Sequence, residues 1–266
     1  AAAVPGADAD MWYNRGVVLE ALGQPKEAVA SYTKALALRP DFKEAIVNQG
    51  VAHLKLHHEK AALASFDASL KLFPGNMEAT VNKVAILLKR KRYIEAEKLL
   101  DRALRAHPER IEGWINRGIA LNSQGRSVEA LEIYDRVLAL KPDSARAMFN
   151  RGVALECLGR DDAALEDYER AIASDRHFAP AHFNRGVLLF HDGDHESALK
   201  AFSAYTASLP RDERGWYNLG LTMLKLGKKG DAAEAFSKAL LRKPDYALAR
   251  RAKESLRKRG RFGLPA

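Results

Sequence analysis

The sequence predicts an all-α solenoid, and three observations predict it. Residue types return with a period of 34, so that seven consecutive windows (9–42, 43–76, 77–110, 111–144, 145–178, 179–212 and 213–246) agree at positions 4, 6, 8, 20, 24 and 32. Each window reads as two amphipathic stretches joined by a turn residue and, in six of the seven, closed by proline. Small residues recur where two such helices would cross. A fixed period of about 20 to 50 residues marks units that bury apolar surface layer by layer against their neighbours.

Residues 1–8, AAAVPGAD, carry neither a basic start nor a long apolar run and are expected to be a flexible leader, not a signal peptide. In the first window helix A is expected from about 10 to 22 and helix B from 25 to 38. Gly23 suits the left-handed turn between them, Pro25 the first turn of helix B, and Pro40 stops that helix. Gly125, Gly159, Gly193 and Gly227 repeat the turn, whereas His57 and Lys91 stand where glycine is expected. Pro74, Pro108, Pro142, Pro210 and Pro244 repeat the boundary.

Position 8 is glycine in six windows, with Val84 the exception, and position 20 is alanine in all seven. Glycine inside a helix costs about 1 kcal/mol, so its return implies close approach of helices A and B. Position 24 is Tyr32, Phe66, Leu100, Tyr134, Tyr168, Phe202 and Phe236, and the tryptophans Trp12, Trp114 and Trp216 all fall at position 4. All of these are expected in the core. After the seventh window a helix over 247–259 should cover the end with Leu248, Ala252 and Leu256, its basic residues facing away, followed by a flexible tail over 260–266.

The fourth window carries Trp114, Arg117, Gly118 and Leu121, then Ala130 and Tyr134, then Pro142. This resembles the tetratricopeptide repeat, whose signature is W-x2-L-G-x2-Y, A-x3-F and P. The resemblance implies a right-handed superhelix whose A helices line a concave groove. Three departures stand out. Position 7 is Arg, Gln or Lys in six windows, Tyr205 replaces a small residue at position 27, and Arg176 replaces proline at position 32.

In that arrangement position 6 faces the groove, and it is asparagine throughout: Asn14, Asn48, Asn82, Asn116, Asn150, Asn184 and Asn218. Asparagine is a poor helix-interior residue, and its amide offers a donor and an acceptor, matching one peptide unit. Packed helices lie roughly 8 to 10 Å apart and an extended chain advances about 3.3 Å per residue, so such a ladder suits a polypeptide gripped at about every third residue. Position 5 flanks it with Tyr13, Val47, Val81, Ile115, Phe149, Phe183 and Tyr217, and position 9 with Val17, Val51, Ala85, Ile119, Val153, Val187 and Leu221. Position 2 runs from Asp10, Glu44, Glu78 and Glu112 to Arg146 and Arg214. The groove is similar to that of the repeat arm of O-linked N-acetylglucosamine transferase. The carboxylate clamp of chaperone cofactors is not expected, because it needs Lys at position 5 and Asn at position 9.

The expected function is a non-enzymatic interaction scaffold, with a protein or peptide ligand in extended conformation and no cofactor or metal. Two alternatives are the substrate-recognition arm of a larger enzyme, such as a protein glycosyltransferase, and an organiser that self-associates through an uncapped N-terminal repeat. The formal charge of +9 does not point to nucleic acid, since nine basic residues against two acidic ones between 242 and 262 account for most of it. That segment lacks the interleaved aromatics that stack on bases. Cys157 has no activating histidine in its layer, and His191 and His195 flank the turn Gly193 and a capping Asp194. The run Lys89-Arg90-Lys91-Arg92 reads as an exposed turn. No apolar run is long enough to span a bilayer, and a single cysteine fits a reducing, cytoplasmic setting, which is the expected one, with a processed exported chain as the alternative.

Overall fold

The computed structural model describes residues 7–261, with side chains over 9–256. Among these residues there are fifteen helices and no strand. The chain divides into two compact units, Ala1–Ile133 and Tyr134–Ala266. The first contains α1 (Ala7–Ala21), α2 (Pro25–Leu38), α3 (Lys43–Lys55), α4 (Glu59–Leu72), α5 (Met77–Lys89), α6 (Tyr93–Ala106), α7 (Ile111–Ser123) and the start of α8 (Ser127–Leu140). The second contains the rest of α8, then α9 (Ala145–Cys157), α10 (Asp161–Ser174), α11 (Ala179–Asp192), α12 (His195–Ser208), α13 (Glu213–Lys225), α14 (Lys229–Arg242) and α15 (Ala247–Arg261). Odd-numbered helices through α13 are A helices and even-numbered ones B helices. Within each unit, packing is chiefly between helices adjacent in sequence.

The A–B turns share one backbone geometry. Gly23 has φ 71° and Gly227 φ 75°, and His57 and Lys91 adopt the same left-handed conformation at 59° and 57°. The cause is the hydrogen-bond pattern that ends the A helix: His58 N donates to His53 O (2.9 Å) and Arg92 N to Leu87 O (2.8 Å), as Gln24 N does to Leu19 O (2.9 Å). The pattern imposes the conformation whatever the residue, at about 1 to 2 kcal/mol for a side chain there.

In five windows the helical hairpin is locked by a ring lying on a glycine. A Cβ added at Gly50 would sit 2.5 Å from the Phe66 ring, one at Gly152 2.7 Å from Tyr168 and one at Gly220 2.6 Å from Phe236. Position 20 alanine, wholly buried in every window, lets the helices approach. The third window solves the same volume problem in reverse, with Val84 opposite Leu100, both fully buried. A larger residue on one helix is matched by a smaller one on the other.

The same compensation settles the departures at Tyr205 and Arg176. Tyr205 is 3% exposed, and the next A helix offers Gly215, where a Cβ would lie 2.5 Å from the Tyr205 ring. Opposite Arg176 the usual tryptophan at position 4 becomes His182. Trp114 Nε1 donates to Pro108 O (2.8 Å) and Trp216 Nε1 to Pro210 O (3.0 Å), and His182 Nε2 lies 2.9 Å from Arg176 O. A carbonyl only accepts, so Nε2 carries the proton. These contacts also refine the expectation that the tryptophans are core. All three are partly buried at the edge of core clusters; Trp114 and Trp216 tie window boundaries, and within their own windows Lys34 lies over the Trp12 ring (4.0 Å) and Lys238 over Trp216 (4.8 Å).

α15 keeps the register of an A helix in an eighth window. Its Ala249 is wholly buried, as alanines at position 3 are elsewhere, and Ala252 and Leu256 pack on the same cluster. Leu248 is 50% exposed, so the expected stripe of Leu248, Ala252 and Leu256 is wrong at its first member, because position 2 points away from the preceding B helix. The expected tail over 260–266 lies largely outside the described residues, as does the leader over 1–8.

The reciprocal packing makes a quantitative prediction. Gly50→Val should destabilise the chain by about 2 kcal/mol or more through overpacking against Phe66. Adding Phe66→Leu, which reproduces the Val84–Leu100 pair, should recover about half of that loss in urea unfolding followed by circular dichroism.

Candidate functional site

The A-helix face is held in place by cross-window rungs that explain the basic residues at position 7. Lys83 pairs with Asp67, Arg117 with Asp101 (2.8 Å), Arg151 with Asp135 (2.6 Å) and Arg185 with Glu169 (2.8 Å). Each joins position 7 of one window to position 25 of the one before. Gln49 makes a neutral version, donating to Thr33 Oγ1 (3.0 Å). Arg151 also forms a fork onto Asp167, Nε to Oδ2 and Nη2 to Oδ1, both 2.7 Å. The Asp167 side chain is 3% exposed, and pairing with it raises the Arg151 pKa.

Next along the helix are the asparagines, and the structure divides them into four kinds. Asn82, Asn150 and Asn218 each donate one amide N–H to the carbonyl four residues back, Glu78 O (3.0 Å), Arg146 O (2.6 Å) and Arg214 O (3.0 Å). Asn48 donates to Tyr13 Oη (3.4 Å) and Asn184 to Tyr168 Oη (3.2 Å). Tyr168 in turn donates to Glu156 Oε2 (2.6 Å), and burial pushes its hydroxyl well above the usual phenol range. Asn116 is buried, while Asn14 is exposed. The ladder read from sequence as a uniform row is therefore uneven, and part of its donor capacity serves the fold.

Position 5 is chiefly packing. Val47 and Ile115 are buried. Tyr13 lies against Phe42 with centroids 4.7 Å apart, Phe149 against Phe178 at 5.5 Å, Phe183 against Tyr205 at 4.9 Å and Tyr217 against Tyr246 at 5.4 Å. Position 9 is the more open apolar row, with Val17 and Ala85 exposed and Val51, Ile119, Val153, Val187 and Leu221 half-buried. At position 2, Arg146 and Arg214 are both exposed, and Arg214 pairs with Asp212, Nη2 to Oδ2 2.7 Å. Donation from Arg214, and from the Tyr205 hydroxyl at 2.6 Å, holds the Asp212 carboxyl down at about 2. The expected charge gradient is thus weaker at Arg214 than its sequence implies.

Family models described as tetratricopeptide repeat match residues 9–42, 53–115, 87–145, 122–182, 158–213 and 213–246. The chain belongs to the tetratricopeptide repeat family. Such repeats generally mediate protein–protein interaction. A tetratricopeptide repeat protein from Parabacteroides merdae is similar in structure, at 17% identity and TM-score 0.75 over 95% of this chain and 100% of that one. MamA from Desulfovibrio magneticus RS-1, residues 41 to the end, matches at 22% identity and TM-score 0.58 over 66% of this chain and 99% of its own. A further MamA structure matches at 24% identity and TM-score 0.53, covering 62% and 96%. No curated protein matches.

The remaining candidates behave as local structure. Asp194 caps α12 by accepting from Ser197 N (3.0 Å), and Gly193 has φ 92°. Among the described residues no group of three or more His, Cys, Asp or Glu could hold a metal ion, and no helix is long and apolar enough to cross a membrane. Cys157 is exposed. What sequence reasoning missed is the position 25 acidic column, Asp67, Asp101, Asp135 and Glu169, whose signal lay in reading two columns together.

Two measurements check these electrostatics. Arg151→Met leaves Asp167 buried without its fork and should cost about 2 to 4 kcal/mol, whereas Arg185→Met, whose partner Glu169 is 57% exposed, should cost under about 1 kcal/mol in urea unfolding. The depressed Asp212 pKa stabilises the fold above the unfolded carboxyl's value of about 4, and that contribution is lost as pH falls toward 2. Asp212→Asn should remove this part of the acid dependence of the melting temperature and leave the rest.

Proposed function

We propose that the chain is a non-catalytic binding protein whose A-helix faces hold a polypeptide in extended conformation. The A helices of each unit present binding residues, and α15 closes the last window. The observation that carries this reading is the state of Asn82, Asn150 and Asn218. Each uses one amide N–H on its own helix, and no donor among the described residues reaches its Oδ1. That fixes the amide rotamer and aims an acceptor outward, ready for a backbone N–H of a ligand. The position 9 residues of the same windows, Ala85, Val153 and Leu221, supply adjacent apolar surface.

Preorganisation matters because a single hydrogen bond contributes only about 0.5 to 1.5 kcal/mol net, part of which offsets the ordering of the ligand. Backbone contacts bind without regard to sequence, so selectivity falls to the half-exposed rings of Tyr13, Phe149, Phe183 and Tyr217 and to Arg146. Val47 and Ile115 act beneath this surface, supporting it from the core.

The test is selection from a displayed library of disordered peptides on the wild type and on Asn82→Ala/Asn150→Ala/Asn218→Ala. The wild type should enrich a motif that the variant loses by about tenfold or more, with unchanged helicity. A variant enriching the same motif equally well would exclude the asparagines from binding.

A further inference from the structure

Beyond the asparagine face, α15 creates a second cleft. α11, α13, α14 and α15 enclose about 650 Å³. Its floor is apolar, formed by Phe190, Leu221, Leu224 and Leu256, all only half-buried, together with Ala233. Its rim carries Lys225, Lys229 and Lys253. None of the three lysines has an ion pair among the described residues, although Lys238 and Lys243 on the same unit do. Asp231 and Glu254 are close in sequence yet neither lines the cleft.

Lys253 shows why the rim is uncompensated. It stands at position 7 of the eighth window, the place from which Lys83, Arg117, Arg151 and Arg185 each reach an acid at position 25 of the preceding window. Here that position is Ser237, whose hydroxyl donates to Ala233 O (2.6 Å). The rung that neutralises this cation elsewhere is missing where the cation borders an apolar cleft.

We propose that this cleft docks an acidic segment of a partner polypeptide. One bulky apolar side chain sits on Leu221, Leu224 and Leu256, and carboxylates before and after it meet the three lysines. Lysine stems line the apolar wall while their ammonium groups stay at the mouth, which suits this mixed chemistry. Three cations spread around the rim call for several carboxylates on one ligand. A fatty acid brings a single one. The cleft shares Leu221 with the position 9 row of the A-helix face but contains no position 6 asparagine, so the asparagine variant separates the two binding modes.

The probe is a fluorescein-labelled peptide with a Leu-Phe pair between two glutamates on each side, beside its glutamine counterpart, in anisotropy titrations of the full chain. The acidic peptide should bind about tenfold tighter or more. Lys225→Gln/Lys229→Gln/Lys253→Gln should abolish that preference, and Leu256→Ala should weaken both peptides about fivefold or more, with helicity retained. The asparagine triple variant should bind the acidic peptide as the wild type does. The proposal is overturned if the wild type binds both peptides alike, if the lysine variant keeps the preference through other basic residues, if the asparagine variant loses binding, or if laurate binds and neither peptide does.

Discussion

The contact on which the rest depends is the seating of the position 24 ring on the position 8 glycine. It brings the two helices of a window close enough for the position 20 alanine to be wholly buried. That approach places the A helix so that its position 6 and position 9 residues emerge together on one face. The contact is reciprocal in volume, as Val84 with Leu100 and Tyr205 with Gly215 show. Interiors packed to near-crystalline density leave no room for one partner to change alone.

Between windows the connection is mixed. Ring nitrogens of Trp114, Trp216 and His182 tie position 4 to the boundary carbonyl of the preceding window, and charged rungs tie position 7 to position 25. In a repeat protein stability is a sum of unit and neighbour terms, so such ties set how strongly one window supports the next. They also leave the opposite side of each A helix available for other work. α15 inherits the register but not the rung acid, which turns a structural cation into part of a cleft.

Much of the fold was legible because each structural role returns at a fixed spacing. Glycine at position 8, alanine at position 20 and proline at position 32 report helix crossing and termination wherever they recur. What was not legible depends on pairs. Val84 and Tyr205 look like defects in single columns and become compensations only beside Leu100 and Gly215. Leu248 misled because leucine spacing suggested a stripe, whereas continuing the 34-residue register puts Ala249 inward. In the candidate site, the identity of the asparagines was visible but not the direction of their amides. A donor that goes to a tyrosine in Asn184 goes to its own helix in Asn150 and Asn218. Position 5 was read as a flank of the groove because an apolar residue beside a groove and one beneath it share the same periodicity.

The central claim is that polypeptide binds on the A-helix face between these ties. The most direct measurement places a photo-crosslinking side chain at Val153, and in a second variant at the exposed Asp162 on α10, and irradiates each with a pool of disordered peptides. The account predicts peptide adducts from position 153 and none above background from position 162. Equal labelling from both, or labelling from position 162 alone, would contradict it.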